Sequence, residues 1–256
     1  MSRAELDWIC QQIPDPPKSR FGGRPSADKR QVLEGIFWIL DNGAKWKDLP
    51  ERFGSKITVH RWFQKWVAEG LFEKILRSAG RLVEERGGYR LYECFVDAPF
   101  SRAKGGGPGI GLTRVSKGVK IMVLVEAHGL PVAVNTASAN KAESHLVQQL
   151  FDFMLPTSLP ERIIGDKAYD SDKLGDLLIE REIELIAPHR ANRRPDTKRQ
   201  DGRPLRRYKR RWTVERTIPW IQNFRRLCIR YERCHLLFQA FLHFSCALLL
   251  LRQVLG

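Results

Sequence analysis

The stretch Arg206-Arg207-Tyr208-Lys209-Arg210-Arg211-Trp212-Thr213-Val214-Glu215-Arg216 sets one carboxylate inside a dense run of positive charge. Such an acid is either paired with a neighbouring cation or kept for chemistry. On a helix Tyr208, Arg211 and Glu215 fall at offsets of about three and four, so they share one face. The plain alternative is an exposed i, i+4 pair between Arg211 and Glu215, which stabilises a helix by only ~0.3–0.5 kcal/mol. Two more acids bear on the choice. Asp97 ends a β-forming run that starts at Leu91, and Asp166 follows a second such run, Arg162 to Gly165.

The elements that must carry these acids can be read from periodicity. Residues 1–25 are punctuated by Pro14, Pro16, Pro17, Gly22, Gly23 and Pro25 and are expected to be an extended arm. Val32, Leu33, Ile36, Phe37 and Leu40 recur at helical spacing, with Asn42-Gly43 as a C-cap. A short helix is expected over Trp46 to Phe53. A third follows from Ser55, with Ile57, Trp62, Phe63, Trp66 and Val67 buried. Residues 26–86 thus form an all-α helix-turn-helix unit or a plain helical bundle. In the former, Lys56, Thr58, His60, Arg61, Gln64 and Lys65 become the candidate DNA readers.

Past Arg86-Gly87-Gly88 the period becomes strand-like, and residues 90–256 are expected to form a mixed α/β unit. Ile121 to Val125 and Val132 to Asn135 read as an antiparallel pair turned at His128-Gly129. Helices are expected over Ser144 to Met154 and Asp172 to Arg181, then a strand from Glu184 to Ala187, a helix from Lys209 to Arg226 containing Glu215, and an apolar helix from Leu236. The loop Ser101 to Lys120 carries five glycines or prolines in a row and several cations. It has no G-K-[ST], so it is no P-loop; it is either a basic hairpin that lies on phosphates or a solvated loop.

Composition supplies a partner class. The chain has 256 residues, 43% of them hydrophobic, and a net charge of +15, as expected of a globular protein with a polyanionic partner. Between Arg190 and Arg211 stand eleven Lys or Arg against Asp196 and Asp201, so the basic charge lies beside Glu215. Five cysteines without a C-x-x-C pair argue against a disulfide framework or a zinc site. The N-terminus lacks the pattern of a signal peptide, and Leu236 to Leu251 is interrupted by Gln239, His243 and Ser245. A buried helix in a cytoplasmic protein is expected, with no membrane partner.

Strand-Asp, hairpin strands, helix, strand-Asp, helix, strand, basic segment, helix-Glu is the element order of a ribonuclease H-like domain. At Asp97, at Gly165-Asp166-Lys167-Ala168-Tyr169-Asp170 and at Tyr208-x2-Arg211-x3-Glu215 the chain closely resembles DDE transposases of the IS4/IS5 insertion-sequence families, most nearly the IS5 group. The likeness extends to Gly23-Arg24-Pro25, Trp46-Lys47-Asp48-Leu49-Pro50 and Arg225-Arg226-Leu227. It implies a ribonuclease H-like catalytic domain behind a helix-turn-helix, with Asp97, Asp166 and Glu215 as the catalytic and metal-binding triad for two Mg²⁺ or Mn²⁺ ions. It further implies Tyr208 and Arg211 as substrate contacts, double-stranded DNA as partner, a homodimer or higher assembly on DNA, and a bacterial, nucleoid-associated location.

Arg206, Arg207, Lys209, Arg210, Arg225 and Arg226 join the candidate DNA contacts. Three carboxylates would repel one another without such ions, and Mg²⁺ prefers hard oxygen ligands. Two departures stand out. Gln222 occupies the position where the family pattern has Lys, and Pro219 removes a helical bond to the Glu215 carbonyl. The alternative they leave open is a DNA-binding protein with an inactive, vestigial transposase domain. Asp170 and Asp172 read as turn and N-cap residues, and Trp62, Trp66, Trp212 and Trp220 as core.

Overall fold

The computed structural model describes residues 1–15, 26–198 and 202–256. Its centre is a mixed sheet. β1 (Cys94–Asp97) runs parallel to β6 (Arg162–Ile164), which runs parallel to β7 (Glu184–Ile186). On the other side β1 is antiparallel to the long β4 (Lys117–Glu126), which is antiparallel to β5 (Pro131–Ser138). Val123 therefore faces Asp97 across one edge and Val134 across the other, giving the order β5–β4–β1–β6–β7. This is the ribonuclease H-like order.

Three short strands extend the sheet beyond that core. β2 (Phe100–Ala103) prolongs the line of β1 along β4 and pairs in parallel with β8 (Ile229–Arg230). β3 (Gly111–Leu112) pairs with the first residues of β4. The central strands are nearly continuous apolar runs because both faces are covered. One face packs on α5 (Glu143–Phe151) and α6 (Asp172–Ile179), burying Leu146, Val147, Leu150, Leu174 and Leu178 with Val96, Met122 and Leu124.

The other face meets α7 (Trp212–Gln222), α8 (Arg225–Cys228) and α9 (His235–Leu255), and with them α1 (Arg3–Gln12), α2 (Lys29–Asn42), α3 (Lys56–Ala68) and α4 (Leu71–Glu85). α9 is long and apolar enough to cross a membrane by composition alone, but Phe241, Phe244 and Leu248 are fully buried. Phe241 stacks on Phe63 of α3 at 4.6 Å, and Phe244 meets Phe72 of α4 at 5.4 Å. Such ring pairs each add about 0.5–1.5 kcal/mol beyond area burial. One buried cluster thus runs from Leu6 through Phe63 to Leu251. Gly87–Gly88 is a change of element type in chain order; the packing is continuous across it.

Several expectations are corrected. Residues 3–12, expected to be part of an extended arm, are helix α1, started by a capping box between Ser2 and Glu5 and held by buried Leu6 and Ile9. The remainder of that arm, residues 16–25 with Gly23-Arg24-Pro25, lies outside the described residues. Trp46 to Phe53 is not one helix but two 3-10 turns, Trp46–Asp48 and Glu51–Phe53, because Pro50 has no N–H to continue the first. Ile57 is 58% exposed, since Val59, Phe63 and Trp66 define the buried stripe of α3.

Trp212 and Trp220 are also exposed, one helical step on either side of Arg216, whose guanidinium lies 4.9 and 5.0 Å from their rings. Finally, the helix expected over Lys209 to Arg226 is three pieces: a 3-10 helix Pro204–Arg211, then α7, then α8. Pro219 lies inside α7 without ending it, and its carbonyl accepts from Asn223 N at 2.7 Å.

Candidate active site

The parallel register of β1 on β6 sets Cys94 against Ile163 and Phe95 against Ile164. Continued two residues further, the same offset brings Asp97 opposite Asp166. Both acids therefore leave the sheet at the carboxyl ends of adjacent parallel strands, where open α/β sheets place their sites. Glu215 arrives from the first turn of α7, which packs on β1 and β4. Tyr208 and Arg211 are three apart in a 3-10 helix, and Arg211 and Glu215 are four apart across the start of an α-helix. Each offset matches the period of its own helix, so the shared face survives the change of helix type.

Arg211 ties two of the acids together. Its Nη2 lies 2.8 Å from Asp97 Oδ2, and its Nη1 donates to Glu215 Oε1 at 2.6 Å. Burial opposes the guanidinium charge, but Asp97, Tyr208, Asp166 and Glu215 around it leave the Arg211 pKa raised. Burial likewise pushes the Asp97 carboxyl above its ordinary value, against Arg211 and the Ala98 N–H, with Asp166 and Glu215 adding to the rise.

Asp166 is fixed by its own turn. Its Oδ1 caps the 3-10 turn Lys167–Tyr169 by accepting from Ala168 N at 2.8 Å. Gly165 is required beside it, because a Cβ there would stand 2.6 Å from the Tyr169 ring. Tyr169 is fully buried, its phenol held far above its usual pKa by burial and then by Glu143, Asp97 and Asp166, and its Oη has no hydrogen-bond partner.

The basic segment is partly committed to holding this turn. Arg190 donates through Nε to the Lys167 carbonyl at 3.0 Å and through Nη2 to that of Ala168 at 2.8 Å. Asp170 accepts from Arg190 N and lies against His189 and Arg193. Asp170 was expected to be a turn residue and Asp172 the N-cap of α6; Ser171 is the cap, and Asp170 is a buried anchor. Arg207 and Arg210 both bind Glu93, which is fully buried one residue before β1.

Other expected DNA contacts divide by exposure. Arg206, Lys209 and Arg225 are exposed, as are Lys56, Arg61, Gln64 and Lys65 on α3. Thr58 is half-buried, and the His60 ring lies tilted 4.6 Å from the Trp46 ring, with burial lowering its pKa. Arg226 does not fit its expected role. It is 3% exposed, pairs with buried Glu232 and donates to the Ala44 carbonyl, so it joins α8 to the end of α2 instead of meeting a phosphate. Gln222 is half-buried, and its carbonyl accepts from the Cys228 thiol.

Glu93 and Arg190 were not singled out from sequence, and Tyr169 stood only inside the Gly165–Asp170 motif, with no role of its own. Glu93 had a signal, an acid set in an otherwise apolar β-forming run; Arg190 had none apart from the other arginines.

Three carboxylates from distant segments suit a hard divalent cation by donor type, and Tyr169, in the turn that Asp166 caps, has a buried Oη without a hydrogen-bond partner. Among the described residues no three His, Cys, Asp or Glu side chains are gathered tightly enough to hold an ion as they stand. The cation between Asp97 and Glu215 is Arg211.

Comparison with known proteins agrees with this architecture. Residues 90–250 match the family described as "Transposase DDE domain", and residues 1–76 match "Putative transposase of IS4/5 family". The chain is 33% identical over 144 residues to a putative transposase for insertion sequence element IS402 of Burkholderia cepacia, covering 53% of this chain and 64% of that protein. It is 31% identical over 121 residues to the IS402 uncharacterized 16.2 kDa protein of the same organism, covering 43% of this chain and 78% of the relative. Among solved structures, the piggyBac transposase synaptic complex with hairpin DNA matches at a TM-score of 0.53 and 11% identity, over 95% of this chain and 68% of that one. At that identity the likeness concerns the fold.

Proposed function

The chain belongs to the transposase DDE domain family, and from that premise we propose that it is a DNA transposase, which cuts DNA at the ends of an insertion sequence and joins them to a target. The observation that carries this reading is the convergence on Arg211 of Asp97 from β1 and Glu215 from α7, beside Asp166 at the end of β6.

In this reading Asp97, Asp166 and Glu215 would hold Mg²⁺ or Mn²⁺, which when bound would supply charge neutralisation at the phosphate and a more acidic oxygen nucleophile. Arg211 turns from the carboxylates to a phosphate oxygen, where its planar fork suits bidentate contact. Tyr208, half-buried on the preceding turn, donates its hydroxyl to the same phosphate group. Exposed Arg206, Lys209 and Arg225 follow the backbone. The N-terminal helices present Lys56, Arg61, Gln64 and Lys65 to duplex DNA, and two or more copies assemble on it.

Strand cleavage of a supercoiled plasmid carrying the DNA that flanks the gene on both sides, with Mg²⁺ present, tests the reading. Wild type should cut and Glu215→Ala should not, while both bind DNA; equal inertness of the two would end it. A second reading is a DNA-binding protein whose catalytic unit is idle. It is favoured by the guanidinium standing between two of the acids and by Gln222 in place of Lys. Metal-dependent nicking lost in Asp97→Asn would exclude that alternative.

A further inference from the structure

β1 and β2 form one line against β4, and that line does not stop at the site. Asp97 faces Val123, whereas the hairpin end of β4 is Lys117, paired with Leu112. Six residues of strand separate the two levels, so the hairpin overhangs Asp97 by roughly 20 Å at ~3.3 Å per residue.

Its base is tightly held. A side chain at Gly118 would collide with the Ser101 carbonyl and the Phe100 ring. Lys104 N donates to the Arg230 carbonyl, and the Arg230 guanidinium donates to that of Pro108. The turn is closed by Thr113, whose N donates to the Ser116 carbonyl at 3.0 Å and whose Oγ1 accepts from Ser116 N at 3.1 Å.

Outside this braced frame stand the two most exposed large apolar side chains of the described residues, Val115 at 85% and Leu112 at 77%. Arg114 and Lys117 beside them are exposed too. Apolar side chains held in water at the tip of a preorganised turn have gained nothing from folding. Paired with cations, they have the composition of elements that press an apolar group on a base step while flanking charges meet phosphates.

We infer that this hairpin tip is a DNA contact that enters the duplex beside the cut, with Leu112 and Val115 against a base step and Arg114 and Lys117 on the adjoining phosphates. With the duplex running along β4, at ~3.4 Å per base pair, the overhang corresponds to a contact about six base pairs from the scissile phosphate. The inference rests on the chain being a DNA-cutting enzyme.

The test uses a duplex spanning the cut site mapped for wild type, with 2-aminopurine placed singly at successive positions. Wild-type protein should change its fluorescence most about six base pairs from the cut. Leu112→Ser/Val115→Ser should abolish that change and slow cleavage by about tenfold, and Arg114→Ala should lessen the slope of log binding constant against log salt by about 0.9. If wild type cuts but the serine variant gives the same fluorescence profile and rate, the inference fails while the parent reading stands. If wild type neither cuts nor perturbs any base, both fail. If the serine variant alters only the sedimentation of the free protein, the tip contacts a second copy of the chain and the inference is overturned.

Discussion

Arg211 lies 2.8 Å from Asp97 and at the same time donates to Glu215 at 2.6 Å, so the site is partly neutralised by its own guanidinium before any ion arrives. Arg211→Ala should leave three acids without that counter-charge. In EDTA its Tm should fall by about 2–4 °C, since roughly 1 kcal/mol is the upper scale for a partly exposed ion pair and a chain of this size shifts by some 2–4 °C per kcal/mol. Mg²⁺ should then raise its Tm more than that of wild type. Equal Mg²⁺ shifts in differential scanning fluorimetry would show that the arginine does not stand in for the ion.

Asp97 separates activity from stability. Burial raises its folded pKa above the ordinary value, so the neutral form favours the fold, and that contribution is lost as pH rises through the folded pKa. Asp97→Asn should therefore be at least as stable as wild type at pH 7 in metal-free buffer, and the difference should vanish near pH 3 where both forms are neutral. Cleavage should drop by at least roughly 10²–10³-fold, the scale for removing one group that stabilises transition-state charge. A destabilised variant with normal cleavage would contradict both halves.

His243 should dominate one branch of the acid stability curve. It is buried against the Phe153 ring at 4.9 Å, and burial pushes its pKa from 6.5 down to about 3. Between those values the unfolded chain takes up a proton that the native imidazole refuses. Stability present above pH 6.5 is lost as pH falls toward 3, at up to about 1.4 kcal/mol per unit. Urea midpoints measured at pH 7 and pH 5 should move less in His243→Gln than in wild type. Parallel curves would mean that the histidine protonates freely in place.

Arg207 and Arg210 share buried Glu93, so their removal should be non-additive. Either alanine substitution alone leaves the carboxylate a partner and should shift the denaturation midpoint little. Removing both strands a buried charge, with a loss on the order of 3–5 kcal/mol. Chemical denaturation of the two single variants and the double variant decides the point: additive small losses combined with weakened DNA binding would return these arginines to the DNA surface.

Arg226→Ala should lower stability by about 3 kcal/mol by abandoning Glu232 in the core, and leave the salt dependence of DNA binding unchanged. A reduced salt slope would mean that the side chain reaches phosphate after all.

The strands were legible because alternation and β-branched runs report burial directly, and the acids were legible because a charge at the end of an apolar run is costly without a purpose. The side chains' partners were not. Arg226 and Arg225 are adjacent and chemically identical, yet one is buried on Glu232 and the other faces water, a difference that depends on how α8 meets α2. The Pro14 to Pro25 punctuation concealed α1, whose stability comes from a capping box and from Ile9 and Leu6 packing on elements far along the chain. Tryptophans at helical spacing read as core at 62 and 66 and again at 212 and 220. Trp66 is buried and Trp62 half-buried, whereas the second pair is exposed on either side of Arg216.

The placement of α9 has a temporal consequence. Glu5 of α1 reaches Arg252 of α9 at 3.4 Å, and Phe63 and Phe72 lie against Phe241 and Phe244. A ribosome emitting this chain exposes its N-terminal helices long before their packing partner exists, and contacts of such sequence separation close slowly. The nascent protein must therefore remain without its main core until about residue 250 has emerged, leaving those helices dependent on chaperones or on their own solubility in the interval.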